Sequence, residues 1–293
     1  MSEVASPRTL DDLLRRLRTN SGWIAAQFLG TPLIVLAGMV WTRVPEKHWW
    51  QVGLTLLLPL LMLAATLALE AGTMRSFIGQ DDRRVRFAWG ALTLLVWIAV
   101  VWLAWFILDW CDDQIPQWAS YLNSRAPAHA RARLFTYAHI TTWLSVLEWI
   151  FRWIVVPAKV IPHAMTSAQW GGRLPWRKLL RMMLNWHWWL GVATAALVGL
   201  LLPSYFFHGE PHGTVTHQVW AVSLKLAGAY LLAMASWVLL LAWAAVLLTR
   251  DAHKPKMPDD DALVAAPAGS GPPSKNSVKL PLPESRNDAG GNI

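Results

Sequence analysis

Long runs of apolar residues recur along the first 250 positions of the chain. Each run is about twenty residues long, which is the length that an α-helix needs to cross the roughly 30 Å hydrocarbon core of a bilayer. The runs are solid, whereas a membrane-spanning strand would alternate apolar and polar positions. The pattern therefore predicts an all-α, polytopic transmembrane helical bundle with six spans, at about 22–41, 51–70, 87–108, 137–157, 187–207 and 219–248.

The connections between these runs differ in their content of basic residues. Of the 26 Lys and Arg, 19 lie in the N-terminal stretch, the 71–86 and 158–186 connections and the C-terminal tail, and only five lie in the other three connections. Positive charge next to membrane spans stays on the cytoplasmic side. We therefore predict a multi-pass protein of a bacterial-type cytoplasmic (inner) membrane with both termini in the cytoplasm. A cleaved signal peptide is not expected, because the first run is a full span preceded by a charged segment.

The chain divides into three parts by composition. Residues 1–21 predict a cytoplasmic amphipathic helix, because leucines recur at helical spacing between Leu10 and Leu17, with arginines beside them. Residues 22–250 form the six-helix transmembrane domain. Residues 251–293 predict a disordered cytoplasmic tail, because a segment rich in Gly and Pro cannot bury enough apolar surface to offset its chain entropy.

Two basic segments are predicted to lie on the cytoplasmic membrane surface. A second amphipathic stretch, Pro175 to Leu184, leads into the fifth span as the first leads into span one. The residues assigned to this surface, facing anionic headgroups, are Arg15, Arg16, Arg18, Arg177, Lys178 and Arg181. On the opposite side, the spacing of Ile115, Trp118 and Leu122 predicts a short separate helix in the 109–136 connection.

Composition excludes a water-soluble protein and several kinds of site. Hydrophobic residues make up 55% of the chain and charged residues 15%, against about 25% charged in soluble domains. The net charge of +8 does not indicate nucleic-acid binding, because most basic residues flank the spans. The expected partners are membrane lipids and proteins of the membrane or cytoplasm. The single cysteine, Cys111, cannot form an intrachain disulfide or an iron–sulfur cluster.

Tryptophan is unusually frequent, with 21 in the chain. Indole rings at span ends anchor helices among lipid headgroups, and we assign this role above all to Trp49, Trp50, Trp186, Trp188 and Trp189. Other tryptophans lie deeper within the spans, where they either pack between helices or form the wall of a groove for a lipid or quinone. These are Trp97, Trp102, Trp105, Trp143, Trp149, Trp153, Trp237 and Trp243.

Three ionisable residues are candidates for an intramembrane polar site. Glu148 and Arg152 are four residues apart in the fourth span, so they share one helical face, and counting along that span puts Glu148 near the midplane. Lys225 in the sixth span either reaches outward to the membrane surface or joins them. Such a pair is either a functional site or a brace between helices.

Four histidines on the outer side are weak candidates for binding a metal or haem b: His139, His208, His212 and His217. Their spacing matches no standard metal-binding pattern, and no cofactor is predicted. Standard catalytic and nucleotide-binding motifs are absent from the sequence, so no catalytic residue is assigned and the protein is not expected to be an enzyme.

Three interpretations of function follow from the sequence. The first is a non-catalytic membrane subunit, scaffold or partner-binding module. The second is a transporter or carrier of a small or lipidic solute that uses Glu148 and Arg152 at the midplane. The third, less favoured, is a redox subunit containing haem b.

Overall fold

The computed structural model describes residues 7–44, 47–79, 85–131, 133–171, 174–207 and 214–249. Every regular element in these ranges is helical, and none of them contains a strand. The predicted all-α fold class is therefore confirmed. The C-terminal tail, for which disorder was predicted, lies outside the described residues.

The helices follow one another with short connections. In the described ranges they are α1 (Pro7–Thr19), α2 (Ser21–Trp41), α3 (Trp49–Ile78), α4 (Phe87–Arg125), α5 (Ala128–Arg131), α6 (Tyr137–Ile150), α7 (Val156–Trp170), α8 (Trp176–Leu184), α9 (Trp186–Ala196), α10 (Leu202–Phe207) and α11 (Val215–Thr249). Two π-helical turns, Phe151–Val155 and Leu197–Leu201, join α6 to α7 and α9 to α10.

Each predicted span falls on a helical segment. Five segments in the described part of the chain are long and apolar enough to cross a membrane: α2, α3, α4, α11 and the segment Trp186–Phe207 formed by α9 and α10. The remaining predicted span lies on the helical segment from Tyr137 to Trp170, in which Glu148 and Arg152 lower the hydropathy. The chain is thus an all-α membrane bundle with approximately six spans.

Two helices are longer than the apolar runs that predicted them. α3 continues from residue 70 to Ile78, and α4 continues from residue 108 to Arg125. The separate short helix predicted around Trp118 is therefore wrong, because it is the last part of α4. Ile115 and Ala119 are buried, and α4 packs against α6. Such burial favours continuation of the helix through the polar residues that follow the apolar run.

Close packing at the bundle centre depends on small residues. α3 and α7 pack against each other, and α4 and α11 each pack against both of them. Several fully buried positions on these helices are alanines, including Ala71, Ala158, Ala168 and Ala242. Gly90 on α4 approaches α7 so closely that a Cβ there would lie 2.3 Å from the carbonyl oxygen of Ala168. Small residues allow helix backbones to approach, which is a main source of stability for helix contacts within lipid.

Both π-helical turns precede prolines. Pro157 and Pro203 have no N–H to donate to the carbonyl four residues earlier, which belongs to Trp153 and Gly199 respectively. The helix widens instead into a π-helical turn. The Val156 N–H donates to the carbonyl of Phe151, and the Leu202 N–H donates to the carbonyl of Leu197, each five residues earlier. The prolines therefore explain where the two helices widen.

The N-terminal helix α1 docks on the ends of two spans. Its Arg16 donates to the carbonyl of Phe77 at the end of α3, and also to Thr249 Oγ1 at the end of α11 over 2.6 Å. Burial lowers the pKa of the Arg16 guanidinium, an effect that the charge of Asp12 opposes. The assignment of Arg16 to lipid headgroups is therefore wrong, because an orphan carbonyl at the C-terminus of α3 and the Thr249 hydroxyl at the end of α11 hold it against the protein.

Candidate functional site

The predicted pair of Glu148 and Arg152 exists, and it includes a third residue. Arg152 Nε donates to Glu148 Oε1 over 2.5 Å, and Arg152 Nη2 donates to Asp109 Oδ1 on α4 over 2.6 Å. Asp109 is thus a third member of the network in the described residues, and Lys225 lies half-buried on α11.

The network lies far from both ends of α4, because Asp109 is 22 residues after Phe87 and 16 residues before Arg125, or about 33 and 24 Å along the helix. The placement of Glu148 near the midplane stays a prediction. Neither Glu148 nor Arg152 lines the three cavities described for the bundle. The geometry is that of a brace between α4 and the helix formed by α6 and α7.

The histidine candidates do not come together in the described part of the chain. His208 and His212 lie outside the described residues. His139 lies in the first turn of α6 and His217 in the first turn of α11. Within the described ranges, no group of three or more His, Cys, Asp or Glu is arranged to hold a metal ion.

The five tryptophans assigned as interfacial anchors divide into two groups. Trp49, Trp50 and Trp186 are exposed, as an anchor requires. Trp188 has no exposed surface, and its indole N–H donates to the carbonyl of Ala158 on α7 over 3.0 Å. The assignment of Trp188 to the interface is therefore wrong, because α7 covers it. Trp189 is partly buried and donates to the carbonyl of Met183.

A polar cluster that the sequence analysis missed surrounds Glu70 on α3. The amide of Gln27 on α2 donates to Glu70 Oε1 over 2.6 Å, and the indole N–H of Trp237 on α11 donates to Glu70 Oε2 over 3.3 Å. Thr73 Oγ1 donates to Gln27 Oε1 over 3.1 Å. We call Glu70, Gln27, Thr73 and Trp237 the Glu70 cluster.

The Glu70 cluster lies well inside the bundle. Glu70 is eight residues before the end of α3, Gln27 is six residues after the start of α2, and Trp237 is twelve residues before the end of α11. At 1.5 Å per residue, these positions are about 9 to 18 Å from the helix ends. In surroundings as apolar as the hydrocarbon core, an ionised carboxylate costs about 2.5 to 3.5 kcal/mol.

Two neutral donors offset part of that cost. Hydrogen bonds to a charged group contribute about 1.5 to 3 kcal/mol each when well formed, and the one from Trp237 is long. Among the described residues, no Lys or Arg lies within ion-pair distance of Glu70. The carboxyl group is thus held in place by hydrogen bonds and lacks a cationic partner in the described part of the chain.

Glu70 also forms part of the wall of a cavity, which we call the Glu70 cavity. Its volume is about 370 Å³, and it is partly open to the surface of the bundle. Apart from Glu70 and Thr66, apolar side chains from α3, α4, α7 and α11 form its wall. The lining residues are Thr66, Leu67, Glu70, Met74, Leu94, Trp97, Ile98, Val101, Trp102, Trp105, Val160, Ile161, Ala164 and Trp237.

A second cavity adjoins the first and is bordered by both π-helical turns, so we call it the π-turn cavity. Its volume is about 310 Å³. Five residues line both cavities: Val101, Trp105, Val160, Ile161 and Trp237. The other residues of the π-turn cavity are Trp153, Val156, Pro157, Val192, Ala195, Ala196, Gly199, Leu200, Ala233, Ser236 and Leu240.

Five of the deeper tryptophans line one or both cavities: Trp97, Trp102, Trp105, Trp153 and Trp237. Trp105 and Trp153 meet edge to face, with ring centroids 5.3 Å apart. The sequence predicts two alternative roles for the deeper tryptophans, and the position of these five at the cavities resembles the second of them, the wall of a groove. Chemically, the two cavities offer an apolar container with one carboxyl group at its side.

Glu70 was missed because it ends an apolar run in the sequence. A hydropathy profile takes a charged residue at that position as the edge of the span, although α3 continues to Ile78. A signal was nevertheless present in the first span, where Gln27 is a polar residue surrounded by apolar neighbours and requires a hydrogen-bonding partner inside the bundle.

The chain was compared with protein-family models, with curated proteins and with solved structures, and none of them matches it. The Glu70 cluster and the two adjoining cavities are therefore the basis for assigning a role to this membrane protein.

Proposed function

We propose that this membrane protein binds a lipidic solute in its two adjoining cavities and acts as a carrier for it. The observation that carries the proposal is the pair of tryptophan-walled cavities, about 370 and 310 Å³ in volume, which share five lining residues. Ligand sites in proteins are typically concave and apolar with a few polar groups that orient the ligand. The Glu70 carboxyl group supplies such a polar group.

The surroundings of the cavities favour a solute that is dissolved in the membrane. Both cavities lie between helices and are partly open to the surface of the bundle, and the Glu70 cavity is lined there by the exposed apolar residues Ile98 and Trp102. Trp102, at the edge of the Glu70 cavity, is 69% exposed. A lipidic molecule can therefore reach the cavity from the bilayer without crossing a polar surface. In this proposal the carrier function involves Glu70 instead of Glu148 and Arg152.

Filling the shared wall of the cavities is expected to abolish solute binding. The variant Val101→Trp adds an indole at a position that lines both cavities, whereas Val100→Trp places the same side chain on an exposed neighbouring position. The probe is hexadecanol that bears a photoreactive diazirine, and labelled residues are mapped by mass spectrometry. We expect labels in the cavity-lining parts of α4, α7 and α11, lost in Val101→Trp and retained in Val100→Trp.

The proposal fails if labelling of the cavity-lining residues is unchanged in Val101→Trp. It also fails if the wild-type protein is labelled only on exposed apolar faces, such as the side of α3 that carries Leu56. Circular dichroism and gel filtration establish that both variants are folded before labelling is compared.

The orientation in the membrane is proposed from charge. The positive-inside bias supports both termini in the cytoplasm of a cell with a bacterial-type inner membrane. A green fluorescent protein fused after Thr249 is then expected to fluoresce, and alkaline phosphatase fused at the same point to be inactive. The opposite pair of results would reverse the proposed orientation.

The remaining interpretations stay predictions. A non-catalytic subunit or scaffold is supported by the hairpin of α4 and α6, which carries exposed aromatic residues including Trp118 and Trp143. Loss of a captured partner protein on Trp143→Ala, in mild detergent, would favour that role.

We also propose, as the sequence analysis does, that the protein has no catalytic activity and no resident cofactor. Haem b would give the purified protein a Soret absorption band.

A further inference from the structure

The Glu70 cavity combines a carboxyl group with several indole rings. Trp97, Trp102, Trp105 and Trp237 line it together with Glu70. The face of an indole ring carries negative electrostatic potential, and sets of aromatic rings recognise ammonium groups in many proteins. A carboxylate beside such rings adds a full negative charge in surroundings of low dielectric constant, where charge interactions are strong.

We propose that the Glu70 cavity binds the ammonium group of an amphiphile whose apolar body extends into the π-turn cavity. This inference rests on the proposed function and specifies the chemical class of the solute. It assigns the headgroup to Glu70 and the indole faces, and the apolar part to the shared wall of the two cavities.

The hydrogen bonding of Glu70 leaves it able to accept a cation. Each of its two oxygens accepts one hydrogen bond, from Gln27 and from Trp237. A carboxylate has about four lone-pair sites, so further acceptor capacity is available. Both existing donors are neutral, and among the described residues no Lys or Arg neutralises the charge. An ammonium ion in the cavity supplies the missing positive charge.

The composition of the wall argues against other headgroups. Neither cavity has a Lys or Arg among its lining residues, so an anionic headgroup would meet Glu70 without a compensating cation. A hydroxyl headgroup can bond to Glu70, but it gains little from the four indole rings. An ammonium group uses both features of the wall.

The wall that the two cavities share is apolar and suits the body of the ligand. Trp105 and Trp237 line both cavities, and the π-turn cavity has no charged side chain in its wall. A chain or ring system attached to the ammonium group can therefore follow Val101 and Ile161 from one cavity to the next. Among the described residues that line the π-turn cavity, Ser236 is the only one with a hydroxyl group.

The test compares two ligands of equal chain length as competitors of diazirine-hexadecanol labelling in the full-length protein. Dodecyltrimethylammonium carries the cation, and dodecanol is its uncharged counterpart. We expect the ammonium compound to compete at least tenfold more strongly in the wild-type protein. Glu70→Gln is expected to remove this preference by weakening ammonium competition at least tenfold, and to change dodecanol competition by less than twofold.

Glu148→Gln serves as the matched control, because it makes the same chemical change at a carboxylate that lines none of the three described cavities. The ammonium preference is expected to survive in this variant. If Glu70→Gln does not fold, Trp102→Leu replaces it. Trp102 is largely exposed, so its removal does not open the core, and ammonium competition is expected to weaken about fivefold.

Equal competition by the two ligands, or an ammonium preference unchanged in both Glu70→Gln and Trp102→Leu, overturns the inference. Cavity labelling by diazirine-hexadecanol would then still support the proposed function. Absence of cavity labelling in the wild-type protein instead overturns the proposed function, so the two failures are distinguishable.

Two sources of the ammonium group are separated by lipid composition. The competition is measured in nanodiscs of phosphatidylglycerol alone and in nanodiscs that also contain phosphatidylethanolamine. Weaker competition by dodecyltrimethylammonium in the second set supports recognition of a phospholipid headgroup. Equal competition in both sets supports recognition of a free amphiphilic amine.

Discussion

Replacing Trp188 by alanine is expected to lower the free energy of unfolding by about 3 to 5 kcal/mol, the usual cost of removing a large buried aromatic side chain. The Trp188 side chain is fully buried, and its indole N–H is bonded to the carbonyl of Ala158. The substitution removes contacts between α9 and α7 and also leaves that carbonyl without its indole donor. Unfolding in mixed micelles with increasing dodecyl sulfate measures the change.

Trp186→Ala is the matched control, because Trp186 lies two residues away on the same helix and is 61% exposed. Its free energy of unfolding is expected to stay within about 0.5 kcal/mol of the wild-type value, as for most surface substitutions. Trp188→Phe keeps an aromatic ring but removes the indole N–H and part of the ring, so its loss of stability is expected to lie between zero and that of Trp188→Ala. Equal losses in Trp188→Ala and Trp186→Ala would contradict the burial of Trp188.

Replacing Gly90 by alanine is expected to destabilise the bundle by about 1 to 3 kcal/mol through overpacking. A Cβ at this position would lie 2.3 Å from the backbone oxygen of Ala168, which no rotamer change can move. α4 and α7 must therefore separate, and their separation also disturbs both cavities. The same micelle titration measures the loss.

Gly228→Ala provides the control for Gly90→Ala. A Cβ at Gly228 in α11 meets no atom within 4 Å, so the substitution adds the same methyl group in open space. We expect its free energy of unfolding to equal the wild-type value or to exceed it by up to about 1 kcal/mol, because alanine favours a helix interior more than glycine does. A Gly90→Ala variant as stable as Gly228→Ala would show that α4 and α7 are not packed as closely as described.

The helices were predictable because their apolar runs are long and lipid demands that backbone groups bond within each segment. The ends of α3 and α4 were not predictable by the same means. Residues 71–78 are covered by other helices, so Arg75 and Phe77 are buried in a segment whose hydropathy alone resembles a loop. Hydropathy reports which residues tolerate lipid, whereas the extent of a helix also depends on what packs against it.

The candidate site was less predictable than the fold. Glu148 and Arg152 could be paired from their spacing on one helix, but Asp109 could not, because its contact depends on how α4 lies beside the next span. Trp188 and Trp186 are equivalent by position near a span end, and only the neighbouring α7 distinguishes them. The Glu70 cluster joins three separate helices, and no local pattern carries that information.

The docking of α1 has a consequence for the biosynthesis of the protein. Arg16 emerges from the ribosome long before one of its two acceptors, Thr249, which follows 233 positions later. Its guanidinium group cannot reach its final partners until the last span has been inserted, and until then water must hydrate it. Docking of α1 is thus completed late in assembly, after the last span has been inserted.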